Sequence, residues 1–355
     1  MAERKNLFER AQQEGTPLID GDRATFVWSG AEPPELVGDF CDWEPECALK
    51  LKRISKKVWA ASLQLPEDAY VEYAYIKEDE RVPDPFNNQV TPNGIGKYNH
   101  AFYMPAGKPT QLIKRKRNVP SGEVFSVTIE GEGLVVGGRR KVHFYQPPVE
   151  QPVPLVVVYD GREYLQRAHL PRIVDNLIAQ KRIQPFALAM IENHPKARFI
   201  EYSCSESALA FIVEWVLPRA NNEIDLIDIS AAPGAYGILG ASMGGLMSLY
   251  TALRLPHIFG RVLSQSGAFS LDGVDMVVYP LVRYLPAAFP LKIWMDVGSM
   301  EWLLETNRRM FALLREKGYD ASLHEYSGGH NYPAWRNDVS RGFESLFPYQ
   351  PEESV

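Results

Sequence analysis

The sequence has few cysteines: Cys41, Cys47 and Cys204 are the three among 355 residues. Three thiols cannot all pair, and no two of them have the C-x-x-C spacing of a redox or metal-binding pair. The sequence also lacks the H-E-x-x-H spacing of zinc hydrolases, a P-loop and a G-x-G-x-x-G loop. We therefore expect reduced cysteines, no disulfide framework, no metal and no cofactor.

Long apolar runs are absent as well. A membrane-spanning helix needs roughly eighteen apolar residues, and the best candidate, residues 208–217, is short and interrupted by Glu214. The first fifteen residues alternate charges where a secretory leader needs an apolar core of at least about seven residues. These features predict a soluble, cytoplasmic protein with no membrane partner.

An excess of positive charge is also missing. Lys plus Arg number 38 against 44 Asp plus Glu, which gives a net charge of −6. Proteins that neutralise nucleic-acid phosphates need the opposite balance, so we expect no nucleic-acid partner. The basic run 114–117 stands alone, without a second basic or aromatic cluster, and we interpret it as part of a solvated linker.

What is present is a globular composition, 45% apolar and 23% charged, in a chain long enough for two domains. Short β-favouring stretches separated by turn residues predict a small sandwich first, and apolar runs alternating with amphipathic stretches predict an α/β domain with a mostly parallel sheet flanked by helices. The predicted parts are an N-terminal helix or extension (1–15), a β-sandwich (16–105), a linker (106–122), a catalytic domain (123–348) and a tail (349–355).

The strongest chemical signal is Gly240-Ala241-Ser242-Met243-Gly244, which fits G-x-S-x-G. An apolar strand pattern precedes it and a helix pattern follows it, as the nucleophile turn of serine hydrolases requires. Small residues are needed on both sides because the serine sits on a sharp turn between strand and helix. The pattern predicts that Ser242 is a nucleophile, rather than an ordinary serine at a helix N-terminus.

A serine nucleophile needs a base and an acid, which follow it in the chain in this type of fold. Two histidines lie late enough: His324 within a strand pattern and His330 on the loop after Gly328-Gly329. We select His330 as the base because a loop histidine can approach Ser242. Asp296 and Glu301 both follow the preceding strand pattern, and spacing alone leaves the acid open between them.

Stabilising an oxyanion requires two backbone N–H donors. One comes from the residue after the nucleophile, Met243, and the other from the loop after an early strand, here Tyr159-Asp160-Gly161-Arg162. We expect Arg162 N–H to be the second donor, with Gly161 N–H as the alternative.

The ordered motifs over roughly residues 123–348 resemble the enterochelin (enterobactin) esterase branch of the esterase D type α/β-hydrolases. They are Asp160-Gly161, Gly240–Gly245, Leu263–Gly267, Gly298–Glu301, and Gly328–His330 followed by Trp335-Arg336. In that branch the acid follows the short glycine-containing turn after the strand, so the resemblance implies Glu301 rather than Asp296.

The front part resembles the early-set immunoglobulin-like module of glycogen-branching enzymes and some esterases, through Val37–Trp43, Leu65-Pro66, Tyr70–Ile76 and Asp84-Pro85. Where glycogen binders carry a second sugar-stacking aromatic, this sequence reads Glu78–Arg81, which argues against carbohydrate binding. We expect a module that lies beside the active site and shapes substrate access.

The resemblance implies a serine carboxylic-ester hydrolase acting on a small-molecule ester such as a ferric siderophore. Candidate substrate contacts are Gly161, Arg162, Lys196, Arg198, Phe269 and Trp302, although surface ion pairs or core packing would explain the charged and aromatic ones equally well. One alternative is a feruloyl or acetyl esterase on carbohydrate esters. Another is a non-catalytic carbohydrate-binding or scaffold protein, which the intact Ser242, Glu301 and His330 disfavour.

Overall fold

The computed structural model describes residues 2–94, 96–286 and 288–351, without the side chains of residues 2–6. The chain divides into two compact units. The first comprises Met1–Pro109 with Gly298–Trp302 and Glu325–Ala334, and the second comprises the remaining segments. The predicted boundaries near 105, 123 and 348 stay predictions, and residues 352–355 of the predicted tail lie outside the described residues.

The first unit begins with helix α1 (Ala2–Glu14) and continues as antiparallel strands. The strands are β1 (Leu18–Asp20), β2 (Arg23–Ser29), β3 (Glu35–Gly38), β4 (Leu49–Lys50), β5 (Lys52–Ser55), β6 (Val58–Gln64), β7 (Tyr70–Lys77), β8 (Glu80–Val82), β9 (Val90–Pro92) and β10 (Tyr98–Tyr103). They form one sheet of order β1-β2-β6-β5 and a second of order β4-β3-β7-β10-β9, with β8 paired to β7.

The two sheets of the first unit share an aromatic core. Phe26 of the first sheet meets Tyr73 and Phe102 of the second, with ring centroids 4.9 and 5.8 Å apart in edge-to-face arrangement. Alternate residues of a strand point to opposite faces, so each sheet places its apolar residues on one side and the two sides pack together. The all-β sandwich predicted for this part is confirmed.

The second unit alternates strands and helices, with three elements, β19, β20 and α10, that continue into segments of the first unit. The strands are β11 (Glu123–Glu130), β12 (Arg139–Gln146), β13 (Leu155–Val158), β14 (Ala187–Ile191), β15 (Tyr236–Ala241), β16 (Phe259–Gln265), β17 (Ser270–Leu271), β18 (Val274–Asp275), β19 (Lys292–Gly298) and β20 (Asp320–Tyr326). The helices are α2 (Gly161–Gln166), α3 (Leu170–Ala179), α4 (Arg198–Tyr202), α5 (Glu206–Phe211), α6 (Leu217–Glu223), α7 (Met243–Arg254), α8 (Val278–Tyr284), α9 (Leu304–Glu316) and α10 (Tyr332–Leu346).

One sheet of eight strands organises the second unit, in the order β11-β12-β14-β13-β15-β16-β19-β20. The pairs β14–β13, β13–β15, β15–β16 and β16–β19 are parallel, whereas β11 and β12 pair antiparallel. Strands covered on both faces need apolar residues at every position, and all four residues of β13 are buried. The predicted α/β class with a mostly parallel sheet is confirmed.

Side-chain hydrogen bonds lie beside two helix starts. Helix α9 begins at Leu304, and Glu301 in the preceding turn accepts the Gly298 N–H. Ser205 caps α5 by accepting the Ala208 N–H, whereas Ser203 donates to Phe199 O. Over the described residues, no helix combines the length and apolarity needed to cross a membrane.

Candidate active site

Ser242 occupies a strained turn between β15 and α7. Its φ of +58° and ψ of −121° lie in a region that side-chain-bearing residues rarely adopt. Three backbone hydrogen bonds hold it there: its N–H donates to Gln265 O at 2.9 Å, and its carbonyl accepts from Leu246 and Ala268. The half-buried side chain is thus held in a fixed backbone position, as a nucleophile requires.

The glycines flanking Ser242 allow this turn. A Cβ at Gly240 would lie 2.4 Å from the carbonyl carbon and oxygen of Gly244, so strand and helix backbones touch at this point. A Cβ at Gly245 would lie 2.8 Å from Ser264 Oγ and 3.0 Å from Gln265 O. The spacing that identified Ser242 in the sequence therefore corresponds to close backbone contacts on both sides of it.

The residues expected to donate to an oxyanion all lie at helix N-termini. Met243 is the first residue of α7, and Gly161 and Arg162 are the first two residues of α2. N–H groups in the first turn of a helix have no acceptor within the helix and carry the positive end of its dipole. Both sets of donors therefore have the chemistry to bind an anion, which is what the oxyanion assignment needs.

Asp160, at the start of α2, anchors the loop that carries Gly161 and Arg162. It adopts φ +55°, and its carboxylate is 1% exposed. Arg198 donates to both of its oxygens at 2.8 and 2.6 Å, and Asn193 donates to one of them. The Asp160 N–H donates to Tyr202 Oη at 3.0 Å, so the turn is fixed from its side chain and its backbone.

We predict that Gly161→Ala abolishes most activity. A Cβ at this position would lie 2.2 Å from the Met190 carbonyl carbon and 2.6 Å from Ile191 N, so the α2 N-terminus must move away from β14. Displacing one oxyanion donor lowers kcat by about 10²- to 10³-fold in other serine hydrolases. Steady-state hydrolysis of p-nitrophenyl acetate measures the loss.

The control is Gly273→Ala, where the exposed glycine has φ +77° and open space around the would-be Cβ. It should lower the free energy of unfolding by about 1–2 kcal/mol, the usual left-handed strain, and leave kcat unchanged. Gly161→Ala protein with wild-type kcat would show that the α2 N-terminus does not act in the reaction.

Glu301 and His330 form a hydrogen-bonded pair in the first unit. His330 Nδ1 contacts Glu301 Oε2, and Glu301 Oε1 accepts the Gly298 N–H at 2.6 Å. The Glu301 carboxylate is fully buried, whereas 15% of the His330 side chain is exposed. In an imidazole that donates its Nδ1–H to a carboxylate, Nε2 is the nitrogen that can accept a proton.

Two further carboxylates lie within electrostatic range of this pair. Burial, followed by the nearby Glu72, raises the pKa of Asp39 well above its usual range. Burial, followed by Glu301, also raises the pKa of Asp42, while His330 acts on Asp42 in the opposite direction.

Asp296, the other candidate acid, has a different partner. It is fully buried at the end of β19, and both of its carboxylate oxygens accept from Gln265 Nε2, at 3.2 and 3.1 Å. Gln265 in turn accepts from Tyr164 Oη at 2.9 Å. The contact to a histidine Nδ1 is thus made by Glu301, as the family resemblance implied and as spacing alone left open.

His324, set aside on its strand pattern, contacts an Asp338 carboxylate oxygen through Nε2 at 3.2 Å.

Some of the predicted substrate contacts are exposed to solvent, and others already bind another side chain or lie in the core. Lys196 is exposed, and Trp302 is 52% exposed with its ring 4.6 Å from that of His330. Arg162 is exposed but ion-paired to Glu192, and Arg198 is committed to Asp160. Phe269 needs correction: it is fully buried in the core and has no surface to offer a substrate.

Sequence reasoning missed Asp39 and Asn331, which contact each other beside His330 although 292 positions separate them. No spacing rule connects residues so far apart, so the sequence held no signal for this pair.

Within the described residues, no group of three or more His, Cys, Asp or Glu side chains could hold a metal ion.

A sequence model of the Esterase family matches residues 134–346. An iron(III) enterobactin esterase of Dickeya dadantii is 24% identical over 96% of this chain and 92% of its own length. An iron(III) salmochelin esterase of Escherichia coli is 27% identical over 96% and 93%. The crystal structure of ferric enterobactin esterase from Salmonella typhimurium superimposes with a TM-score of 0.78 at 20% identity, covering 93% of this chain and 95% of that one.

Proposed function

Because this chain belongs to the Esterase family, whose sequence model matches more than half of it, we propose that it hydrolyses the ester bonds of a ferric catecholate siderophore. The predicted resemblance to enterochelin esterases of α/β-hydrolase fold is confirmed, and so is the class of carboxylic ester hydrolase. The roles of individual residues and the identity of the substrate belong to the proposal.

In the proposed reaction, Ser242 Oγ attacks the ester carbonyl carbon while its proton moves to His330 Nε2. Glu301 accepts the Nδ1–H and stabilises the imidazolium. The imidazolium then gives its proton to the departing alcohol, which leaves the acyl group on Ser242. A water molecule, deprotonated by His330, adds to the acyl carbon; the bond from that carbon to Ser242 Oγ then breaks, and His330 returns the proton to Oγ as the acid departs. Backbone N–H groups of Met243 and Arg162, or Gly161 in place of Arg162, stabilise the oxyanion in both halves.

The connectivity of the sheet supports this set of residues. Ser242 follows β15, Glu301 follows β19 and His330 follows β20, and all three strands belong to the eight-stranded sheet. In α/β proteins, ligands bind in the crevice outside the carboxyl ends of the strands, where such loops emerge. The buried Glu301 and its contact with Nδ1 of His330 support the order of roles within the pair.

One observation carries the substrate class: the likeness to siderophore esterases extends over nearly the whole chain, front unit included. A ferric catecholate complex is anionic and aromatic, so its recognition calls for cations and ring contacts. Lys196 and Trp302 are the exposed residues we assign to this task. Arg162 contributes less because Glu192 neutralises it.

The test compares purified protein on ferric enterobactin, methyl ferulate and p-nitrophenyl acetate, with Ser242→Ala as the blank for each. We expect kcat/KM to favour the siderophore by orders of magnitude, because of the three esters only the siderophore is both anionic and aromatic and can engage both kinds of contact. Preference for the ferulate with an untouched siderophore would assign the protein to plant-ester hydrolysis. Binding to glycogen beads without hydrolysis of any ester would instead indicate a carbohydrate-binding protein.

A further inference from the structure

Asp39 is buried at the end of β3, in the front sandwich, and its carboxylate is fixed by its own unit. Oδ2 accepts the Glu72 N–H of β7 at 2.8 Å, and Oδ1 accepts Trp43 Nε1 at 3.0 Å. Asp39 is 3% exposed, so both oxygens are oriented by protein donors. A buried carboxylate held in this way is a rigid acceptor for any further group that reaches it.

The further group is the loop of His330. Asn331, directly after His330, donates from Nδ2 to Asp39 Oδ2 at 3.2 Å, and its Oδ1 accepts the Ala334 N–H at the start of α10. Gly329, directly before His330, lies so close that a Cβ there would be 2.2 Å from Asp39 Cγ. Asp39 therefore touches the residues on both sides of His330.

Other contacts attach the same loop to the sandwich and to the loop of Glu301. Tyr70 N–H donates to Ser327 O at 3.0 Å, and Met300 N–H donates to Gly328 O at 3.0 Å. Asp42, three residues after Asp39, lies within electrostatic range of both Glu301 and His330. The sandwich thus contacts the His330 loop, and that loop contacts the loop of Glu301.

We propose that Asp39 is a positioning residue of the hydrolase: the front sandwich holds His330 in its reactive place through Asp39. The inference rests on the proposed function, in which His330 is the base. A base must reach the attacking hydroxyl within hydrogen-bond distance, and an error of about 1 Å can lower the rate by about 100-fold. This role differs from shaping substrate access, because it acts on every ester, however small.

The test measures kcat and KM of Asp39→Ala on p-nitrophenyl acetate, an ester too small to need the sandwich for binding. We expect kcat to fall by at least about tenfold with KM changed by no more than about twofold, since a displaced base affects the chemical step. The rate of Ser242 labelling by a fluorophosphonate should fall by a similar factor, because that reaction needs the same base.

Asp84 provides the matched control. It is an equally buried carboxylate of the sandwich, and it accepts from Thr16 Oγ1, Tyr73 Oη and Phe86 N–H, all within the sandwich. Asp84→Ala should lower the unfolding temperature at least as much as Asp39→Ala and leave kcat unchanged. Equal losses of kcat in the two variants would attribute the effect to general destabilisation and overturn the proposal.

A second pair of variants keeps the test valid if Asp39→Ala fails to fold. Asn331→Asp retains the acceptor for Ala334 N–H but sets two carboxylates against each other, so kcat should fall. Adding Asp39→Asn restores a donor facing an acceptor and should regain part of the loss. The rescue is partial because Asp39 Oδ2 also accepts the Glu72 N–H.

The outcomes distinguish a failure of the positioning role of Asp39 from a failure of the proposed function. Wild-type hydrolysis that Ser242→Ala abolishes, together with Asp39 and Asn331 variants of unchanged kcat, would refute the positioning role alone. A loss on the siderophore through KM only, with p-nitrophenyl acetate unaffected, would also refute it and favour substrate access. Ester hydrolysis that survives in Ser242→Ala would overturn the proposed function and this inference together.

Discussion

Ser242→Ala should lower kcat for ester hydrolysis by about 10⁴- to 10⁶-fold, the range found when the nucleophile of a serine hydrolase is removed. The group lost is one hydroxyl, whereas the backbone hydrogen bonds to Gln265, Leu246 and Ala268 are made by the N–H and carbonyl of Ser242. The alanine variant therefore keeps the contacts that shape the turn. The residual activity is measured in end-point assays at high protein concentration and is compared with the uncatalysed rate of hydrolysis.

Ser248→Ala is the matched control for this variant. Ser248 lies in α7, the helix that follows Ser242. It is fully buried and donates to Gly244 O at 2.8 Å. Its loss should lower the free energy of unfolding by about 1 kcal/mol, the net value of one hydrogen bond, with kcat within about twofold of wild type. A fluorophosphonate adduct should appear on Ser242 by peptide mass spectrometry. Activity within tenfold of wild type in Ser242→Ala would remove the serine mechanism.

The second large effect is expected for Glu301→Gln, a loss of about 10³- to 10⁴-fold in kcat, as for other triads whose acid becomes an amide. Glu301 accepts on both oxygens, from Gly298 N–H and at His330 Nδ1. A glutamine can satisfy only one of them with its oxygen. If the oxygen faces Gly298, the amide donates to Nδ1 and forces the imidazole into the unproductive tautomer.

Asp296→Asn is the comparison that decides the acid. Asp296 receives Gln265 Nε2 on both oxygens, so its amide places a donor against a donor in the core. We expect a stability loss of about 1–3 kcal/mol, the usual penalty for an unsatisfied buried polar group, and a kcat within a few-fold of wild type at temperatures where the variant is folded. Thermal unfolding and kcat are measured on both variants. The reverse ranking of kcat would assign the acid role to Asp296.

Several features of the site were predictable because they depend on residues close together in the chain. Gly240 and Gly244 flank Ser242 at fixed spacing, and in the structure a Cβ at Gly240 would lie only 2.4 Å from the carbonyl group of Gly244. The apolar runs that predicted parallel strands occur where β13 is buried at every position. Local patterns of this kind predict backbone geometry because turns and strands are each formed by a few consecutive residues.

Other expectations depended on which distant groups compete for a side chain. Arg198 was a candidate contact for an anionic substrate with an ion pair as the alternative, and the structure shows the ion pair, to Asp160. Phe269 was a candidate aromatic contact with core packing as the alternative, and the structure buries it in the core. A sequence gives the chemical type of a side chain, but its partner depends on which distant residues the fold brings next to it. The sequence alone therefore cannot distinguish an arginine that is ion-paired from one that is not.

The sequence by itself determined the fold class, the ordered motifs of the family and the serine turn, because each follows from local spacing and periodicity. The tertiary structure decided that Glu301 contacts His330, that the carboxylate of Asp296 accepts from Gln265, and that Asp39 touches the loop carrying His330. The physical reason is that hydrogen bonds act over about 3 Å, while the residues they join here are 29 and 292 positions apart. Only folding brings such residues within that range.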